Sequence, residues 1–168
     1  MPRIGNVVDK KDDPLRVGSR LLASFKFGPL PITVLGVYFP FNNRKAGIRA
    51  PEAVSKSLEH RMARALLSRG GDSALSRPVD YLWRYIGILS ARSRADPLSS
   101  LVIAGDFNGT FGKSNSSYQD LQERASSACL TWVMGIPPPT LMVNTIPRSS
   151  IDHILLSEGS PFSLRGVE

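Results

Sequence analysis

Two polar side chains, Asp106 and Asn108, directly follow an apolar run of the sequence and could take part in hydrolysis. A carboxylate accepts protons and a carboxamide both donates and accepts hydrogen bonds, so the pair could hold a water molecule against a phosphate. Residues two positions apart project from the same side of an extended chain. The alternative interpretation is that the two residues only form an Asx turn at the end of a core strand.

The apolar run before this pair, Leu101 to Ala104, is typical of a buried strand. Its residues do not alternate with polar ones, which predicts a central strand covered on both faces. We expect Gly105 to let the backbone turn sharply after the strand, because glycine adopts conformations that other residues avoid. We expect Phe107 to point back into the core between the two polar side chains.

Hydrophobic periodicity predicts the other elements that position this strand. β-Branched and aromatic runs predict strands, and apolar stripes that recur about every 3.6 residues predict helices. The predicted strands lie near residues 20–27, 32–39, 101–104 and 151–156, with a further short one over 140–144. The predicted helices lie near residues 51–68, 79–93 and 118–133. This alternation of strands with helices favours an α/β or α+β fold.

Two segments have no clear period. Residues 1–19 contain a charged turn and are expected to be irregular, so the domain is expected to cover residues 20–168. Between the first two predicted strands, Pro29 and Pro31 favour a loop wider than two residues.

Composition limits the class of protein. The 168 residues are enough for one domain, and 21 Lys and Arg against 14 Asp and Glu give a net charge of +7. This charge favours an anionic partner such as DNA or RNA, although charge alone does not exclude anionic lipid. The arginines expected to contribute to weak, salt-sensitive binding are Arg44, Arg49, Arg61, Arg64, Arg92 and Arg94. The alternative is that they form only a solvated surface.

Targeting signals and cysteines indicate a soluble intracellular protein. The single cysteine, Cys129, excludes an internal disulfide and a Cys-based zinc site, and is expected to be a small buried side chain. There is no apolar run of about 18 residues and no signal-peptide h-region at the N-terminus. The sequence therefore predicts no membrane association, and it leaves the choice between nucleus and cytoplasm open.

Three stretches, in this order, resemble the endonuclease/exonuclease/phosphatase superfamily. They are Val37-Tyr-Phe-Pro40, Gly105-Asp-Phe-Asn108 and Ile151-Asp-His-Ile-Leu155. The superfamily includes DNase I type nucleases, apurinic/apyrimidinic endonucleases and the endonucleases of LINE-type retrotransposons. The resemblance implies a partial four-layer αββα sandwich of the DNase I-like type that lacks outer strands. It also implies phosphodiester hydrolysis that depends on Mg²⁺ or Mn²⁺.

The resemblance also assigns roles to four residues. Asp106 would orient or deprotonate the attacking water, and Asn108 would hold the phosphate or water in line. Tyr38 would approach the scissile phosphate, and Asp152 would accept the N–H of a catalytic histidine. These roles fit phosphodiester cleavage, in which positioning the nucleophile and neutralising oxygen charge lower the barrier.

Several parts of the family's pattern are missing. Its late Ser-Asp-His motif does not appear, and His153 cannot replace that histidine because neighbours on a strand point to opposite faces. His60 lies among charged residues of a helix and is expected to be solvated. The first carboxylates of the chain, Asp9, Asp12 and Asp13, lie in a charged turn with no predicted strand before it, unlike the family's early metal ligand. The residues that would bind the metal are therefore unknown. We expect a domain truncated at both ends that binds the cation poorly and cleaves nucleic acid poorly or not at all.

Two other functions remain open. The chain could be a non-catalytic nucleic-acid-binding remnant, or a phosphatase of the same superfamily that acts on lipid or inositol phosphates. The basic charge favours nucleic acid over a small phosphate ester. Missing strands would leave apolar sheet edges open, which predicts association with missing domain segments or with another copy.

Overall fold

The computed structural model describes residues 7–40, 58–69, 78–108, 116–133, 141–143, 146–149 and 152–160. Three helices are described: α1 (Leu58–Leu67), α2 (Pro78–Ala95) and α3 (Ser116–Ser127). The first four strands are β1 (Val7–Lys11), β2 (Arg20–Phe27), β3 (Leu30–Tyr38) and β4 (Ser100–Asp106). The others are β5 (Leu130–Trp132), β6 (Leu141–Val143), β7 (Ile146–Ser149) and β8 (Asp152–Ser157).

In the described residues, six strands form one mixed sheet in the order β1-β2-β3-β4-β8-β5, and β6 and β7 form a separate pair. Among the described strands, only β3 and β4 pair in parallel, and the other pairings are antiparallel. The chain passes from β3 to β4 through α1 and α2, as a parallel connection requires. The predicted α/β class and the predicted position of the central strand are therefore confirmed.

The N-terminal segment differs from the prediction of irregular structure. Residues Val7–Lys11 form the edge strand β1, which pairs with β2. Its charged side chains are exposed, and Asp9 pairs with Lys11 at 3.3 Å. An edge strand with solvated charged side chains has no apolar alternation, so periodicity did not find it.

The turn between β2 and β3 is tight, so the prediction of a wide loop was wrong. Phe27 pairs with Leu30, which leaves only Gly28 and Pro29 between the strands. Gly28 has a φ of 62°, and a positive φ at the first central position is typical of a type II′ hairpin turn. Pro31 lies before the first residue of β3 that pairs with β4, so its missing N–H does not disturb that pairing.

The helices agree with the predicted ones except at one end. Helix α2 begins at Pro78, a residue suited to the first helical position, and α1 is described from Leu58 onward. The predicted helix over 118–133 ends early, because Cys129 adopts a φ of 52° and Leu130–Trp132 forms β5. None of the helices in the described residues has the length and apolar composition that crossing a bilayer requires.

The core lies between the helices and one face of the sheet. Leu35, Ile103 and Leu155, on three adjacent strands, are fully buried together with Ile86 of α2. The opposite face is more open, and Ile154 is 44% exposed there. Strand β4 is therefore fully covered on one face only, and the prediction that both faces are covered was wrong.

Candidate functional site

Three of the four predicted site residues lie side by side at one end of the sheet. Tyr38 at the end of β3 pairs with Asp106 at the end of β4, and Asp106 pairs with Asp152 at the start of β8. Their chain neighbours Val37 and His153 are buried, so the three side chains project from the opposite, open face. Tyr38 is 47% exposed. We call Tyr38, Asp106 and Asp152 the polar row.

Asn108, the fourth predicted residue, is hydrogen-bonded to the ends of β3 and β4, two of the three strands that carry the row. Its backbone N–H donates to Oδ1 of Asp106 at 2.7 Å, so the Asx turn considered above is present. Its side-chain Nδ2 donates to the carbonyl of Phe39 at 2.6 Å, and its φ is 48°. The turn holds the carboxamide in one orientation beside Asp106, so the structural role does not exclude a chemical one.

The polar row concentrates negative charge. Burial raises the pKa of the Asp106 carboxyl above its ordinary value, and the negative charge of Asp152 raises it further. The N–H of Asn108 and the His153 side chain act in the opposite direction without cancelling these effects. Two carboxylates that repel each other favour a proton or a cation between them.

Gly105 allows the strands that carry the row to come together. A Cβ atom at this position would lie 1.9 Å from the carbonyl oxygen of Val37 on β3, and the φ of Gly105 is 149°. The sharp turn predicted here is absent, because β4 continues through Gly105 to Asp106. The residue is glycine because the neighbouring backbone leaves no space for a side chain.

An aromatic cluster supports the row from the core side. Phe107 is buried, as predicted, and stacks on Phe39 with ring centroids 5.0 Å apart. The His153 ring centroid lies 5.7 Å from that of Phe107 and 4.8 Å from that of Trp132, so this ring packs among aromatic side chains of the core. His60 lies on α1 and is partly buried, where solvation was predicted. Among the described residues, neither histidine lies on the open face with the row.

The loop of residues 12–19, which joins β1 to β2, was missed as part of this region. The buried carboxylate of Asp13 accepts hydrogen bonds from the N–H groups of Leu15, Val17 and Ser19 and from the Ser19 hydroxyl. The carbonyl of Ser19 in turn accepts the N–H of Tyr38 at 2.9 Å. The loop therefore fixes the end of β3. An Asp-Pro step followed by Gly-Ser could have indicated an ordered turn.

Arg20 connects this loop to α2. Its Nη2 donates to the Tyr81 hydroxyl at 3.0 Å, and its guanidinium carbon lies 3.6 Å from the ring centroid of Tyr85. Its Nε lies 4.0 Å from Asp13, and both side chains are buried. Because a buried charge needs a partner, the pair stabilises the loop and the first turns of α2 as one unit.

The described residues offer little for a metal ion beyond the row. They contain no group of three or more His, Cys, Asp or Glu side chains that could hold one. Asp13 is occupied by the N–H groups of its own loop, and Asp9 and Asp12 pair with lysines. Mg²⁺ is commonly bound by one or two carboxylates, with water and substrate phosphate completing its shell. Asp106 and Asp152 meet that lower limit.

The predicted arginines are spread over the molecule. Arg44 and Arg49 lie outside the described residues, and Arg61 and Arg64 are exposed on α1. Arg92 and Arg94 are exposed in the last turn of α2, which leads into the start of β4. The row stands at the other end of β4, roughly 20 Å away at the usual rise of a strand. These last two arginines are thus remote from it.

Comparison with known proteins supports the fold alone. No protein-family model and no curated protein sequence matches the chain. A form of beta toxin from Staphylococcus aureus that lacks a β-hairpin is similar, with a TM-score of 0.53 and 9% identity over 98% of this chain and 55% of its own.

Two other solved structures have lower TM-scores. The endonuclease domain of TRAS1, a telomere-specific non-LTR retrotransposon, gives 0.48 with 14% identity over 91% of this chain and 55% of its own. Sphingomyelinase C from Streptomyces griseocarneus gives 0.49 with 13% identity over 85% of this chain and 43% of its own. The chain thus spans about half the length of the solved structures it matches.

Proposed function

We propose that this chain, which has the DNase I-like fold of the endonuclease/exonuclease/phosphatase superfamily, takes part in hydrolysing phosphodiester bonds of nucleic acid with a divalent cation. The observation that carries the proposal is the polar row. It places two carboxylates and a phenol side by side on the open face of the sheet, with Asn108 fixed next to them. These are groups that orient water and bind phosphate.

Each residue has a role in the proposed reaction. Water attacks phosphorus, Asp106 accepts the proton of that water, the bond from phosphorus to the leaving oxygen breaks, and the leaving oxygen takes up a proton from solvent. The Tyr38 hydroxyl donates to a phosphate oxygen, and Asn108 holds the water or phosphate in line.

The cation proposed is Mg²⁺ or Mn²⁺, held by Asp106 and Asp152. When bound, it supplies positive charge to the phosphate oxygens. In the family, the carboxylate in the position of Asp152 is expected to accept the N–H of a histidine. His153 packs among core aromatic rings and His60 lies on α1, so we propose that cleavage by the chain alone is weak or absent.

The placement of the two histidines favours a second candidate function, a nucleic-acid-binding domain that does not cleave. Groups that act as one catalytic unit are strongly non-additive, so losing one of them removes most of the acceleration. The net charge of +7 would support binding in either case.

Nicking of supercoiled plasmid tests the proposed function. We expect slow or undetectable nicking in Mg²⁺ and none in EDTA, and any nicking should disappear in Asp106→Ala. Glu158→Gln, which removes an exposed carboxylate in the turn after β8, is the matched control and should leave nicking unchanged. Mg²⁺-dependent nicking that persists in Asp106→Ala would contradict the assignment. Robust nicking lost only in that variant would show that the described carboxylates suffice, and would overturn the expected weakness.

A further inference from the structure

Two exposed arginines lie at the same end of the sheet as the polar row. Arg16 belongs to the loop of residues 12–19, and Arg69 follows α1 and donates from Nη2 to the carbonyl of Pro14 in that loop. The same loop is joined to the row, because the Ser19 carbonyl accepts the N–H of Tyr38. We call Arg16 and Arg69 the basic edge. Sequence periodicity singled out neither residue.

The backbone under Arg16 is held in an unusual conformation. Its φ is 55°, in the left-handed region that side chains other than Gly, Asn and Asp seldom adopt. The Arg16 N–H donates to the Asp13 carbonyl at 2.9 Å, and the Asp13 carboxylate binds three further N–H groups of the loop. Such conformations persist where the surroundings fix them, and they cluster at functional sites. Arg16 is thus presented from a rigid support.

No carboxylate of the described residues is paired with the basic edge. Lys10 pairs with Asp12 and Lys11 with Asp9, while the buried Arg20 lies against Asp13. Within the described ranges, neither Arg16 nor Arg69 forms an ion pair with a carboxylate. Two planar guanidinium groups therefore face solvent at the end of the sheet that carries the row. Guanidinium groups bind phosphate through paired hydrogen bonds.

We propose that Arg16 and Arg69 bind backbone phosphates of a nucleic acid and set the path by which it crosses the polar row. The inference rests on the proposed function, because the scissile phosphate is taken to lie at the row. A duplex carries one charge per about 1.7 Å of its axis, so phosphates can occupy the edge and the row together.

A lipid surface fits the edge less well. Binding to a bilayer surface uses apolar side chains that insert among the lipids. In the loop, Leu15 is buried and Val17 is partly buried in the core, so neither is available. Leu67, 62% exposed at the end of α1, is a single side chain and not an apolar face.

Salt-dependent binding of a short fluorescent DNA duplex tests this proposal, measured by anisotropy in EDTA so that no cleavage occurs. The edge variant combines Arg16→Asn, which tolerates the left-handed backbone, with Arg69→Gln, which keeps an N–H donor for Pro14. The control, Lys26→Gln, removes one exposed charge at the far end of β2 and is matched to the single variants. Arg16→Asn and Arg69→Gln are also measured singly, and circular dichroism checks that each variant is folded.

We expect the slope of log affinity against log salt to fall by about 1.8 in the edge variant, since each phosphate contact contributes about 0.9. Between about 50 and about 200 mM salt, the wild type should lose about twelvefold more affinity than this variant. Each single variant should lose about half of the slope, and the control variant should keep the wild-type slope.

Three results would overturn the proposal. The edge variant could bind as the wild type does, the control could lose as much slope as the single edge variants, or the wild type could bind no duplex at low salt. Binding to vesicles of phosphatidylserine and phosphatidylcholine in place of the duplex would assign the edge to lipid instead. Because the assay needs no cleavage, a reduced slope in the edge variant supports the inference even if plasmid nicking fails. If the edge variant binds normally and nicking still depends on Asp106, the inference about the basic edge is refuted while the proposed function stands.

Discussion

Replacing Gly105 by alanine is expected to destabilise the protein by about 3 kcal/mol or more. The new Cβ would lie 1.9 Å from the Val37 carbonyl oxygen, and the φ of 149° disfavours any side chain. The Val37 oxygen and the Cα that would carry the new Cβ both belong to paired backbone of β3 and β4, so neither can move without breaking the sheet. Thermal unfolding should record a fall in Tm of roughly 6–12 °C for a domain of this size.

Gly87 in α2 provides the control for this substitution. A Cβ there would meet no atom within 4 Å. Gly87→Ala should therefore stabilise the protein by about 0.5–1 kcal/mol, because alanine favours the helix and restricts the unfolded chain. If Gly105→Ala unfolded at the wild-type temperature, the close approach of β3 and β4 described here would be wrong.

Asp13→Asn is expected to have the second largest effect, a loss of about 3 kcal/mol of stability. An amide nitrogen in place of one carboxylate oxygen would face N–H donors of the loop, and it would leave the buried charge of Arg20 without its carboxylate. Asp12→Asn is the matched control. Its side chain is 85% exposed and pairs with Lys10 at the surface, so its loss should change stability by less than about 1 kcal/mol. Equal unfolding temperatures for the two variants would contradict the role assigned to Asp13.

Asp13→Asn should also change how the stability of the protein depends on pH. Burial alone would raise the pKa of Asp13, but hydrogen bonds from Ser19, Leu15 and Val17 outweigh it and hold the pKa below its ordinary value of 3.8. A carboxyl with a lowered folded pKa adds stability that is present above the unfolded value and is lost as pH falls through the folded one. The wild type should thus lose more stability than Asp13→Asn as pH falls through this range. Parallel pH profiles would contradict this.

The sequence predicted those elements whose side chains face the core. Leu101 and Ile103 were correctly assigned to a buried central strand, and α2 was found by its apolar stripe. The fold class that the family resemblance implied is confirmed, because the solved structure of a beta toxin form shares this fold. Apolar patterning reports burial, so it is most reliable where burial is complete.

Other features lay beyond such reasoning. Strand β1 carries solvated charges and has no apolar period. Strand β5 was missed because Trp132 fits the apolar spacing of a helix together with Ala128 as well as that of a strand together with Leu130. The Asp13 loop depends on backbone hydrogen bonds, which leave no pattern of side chains. Tyr38, Asp106 and Asp152 lie side by side because of the register in which their strands pair. A sequence motif alone does not specify that register. The catalytic roles of these residues stay proposals.

The central claim is that Asp106 and Asp152 form one anionic site that takes a cation, and the pKa of the Asp106 carboxyl measured by NMR tests it most directly. In the wild type this pKa should lie above 3.8, mainly because of burial and further because of Asp152. It should fall in Asp152→Asn, and in the wild type on adding Mg²⁺, while Glu158→Gln should leave it unchanged. An ordinary pKa for Asp106 that responds neither to Asp152→Asn nor to Mg²⁺ would contradict the account.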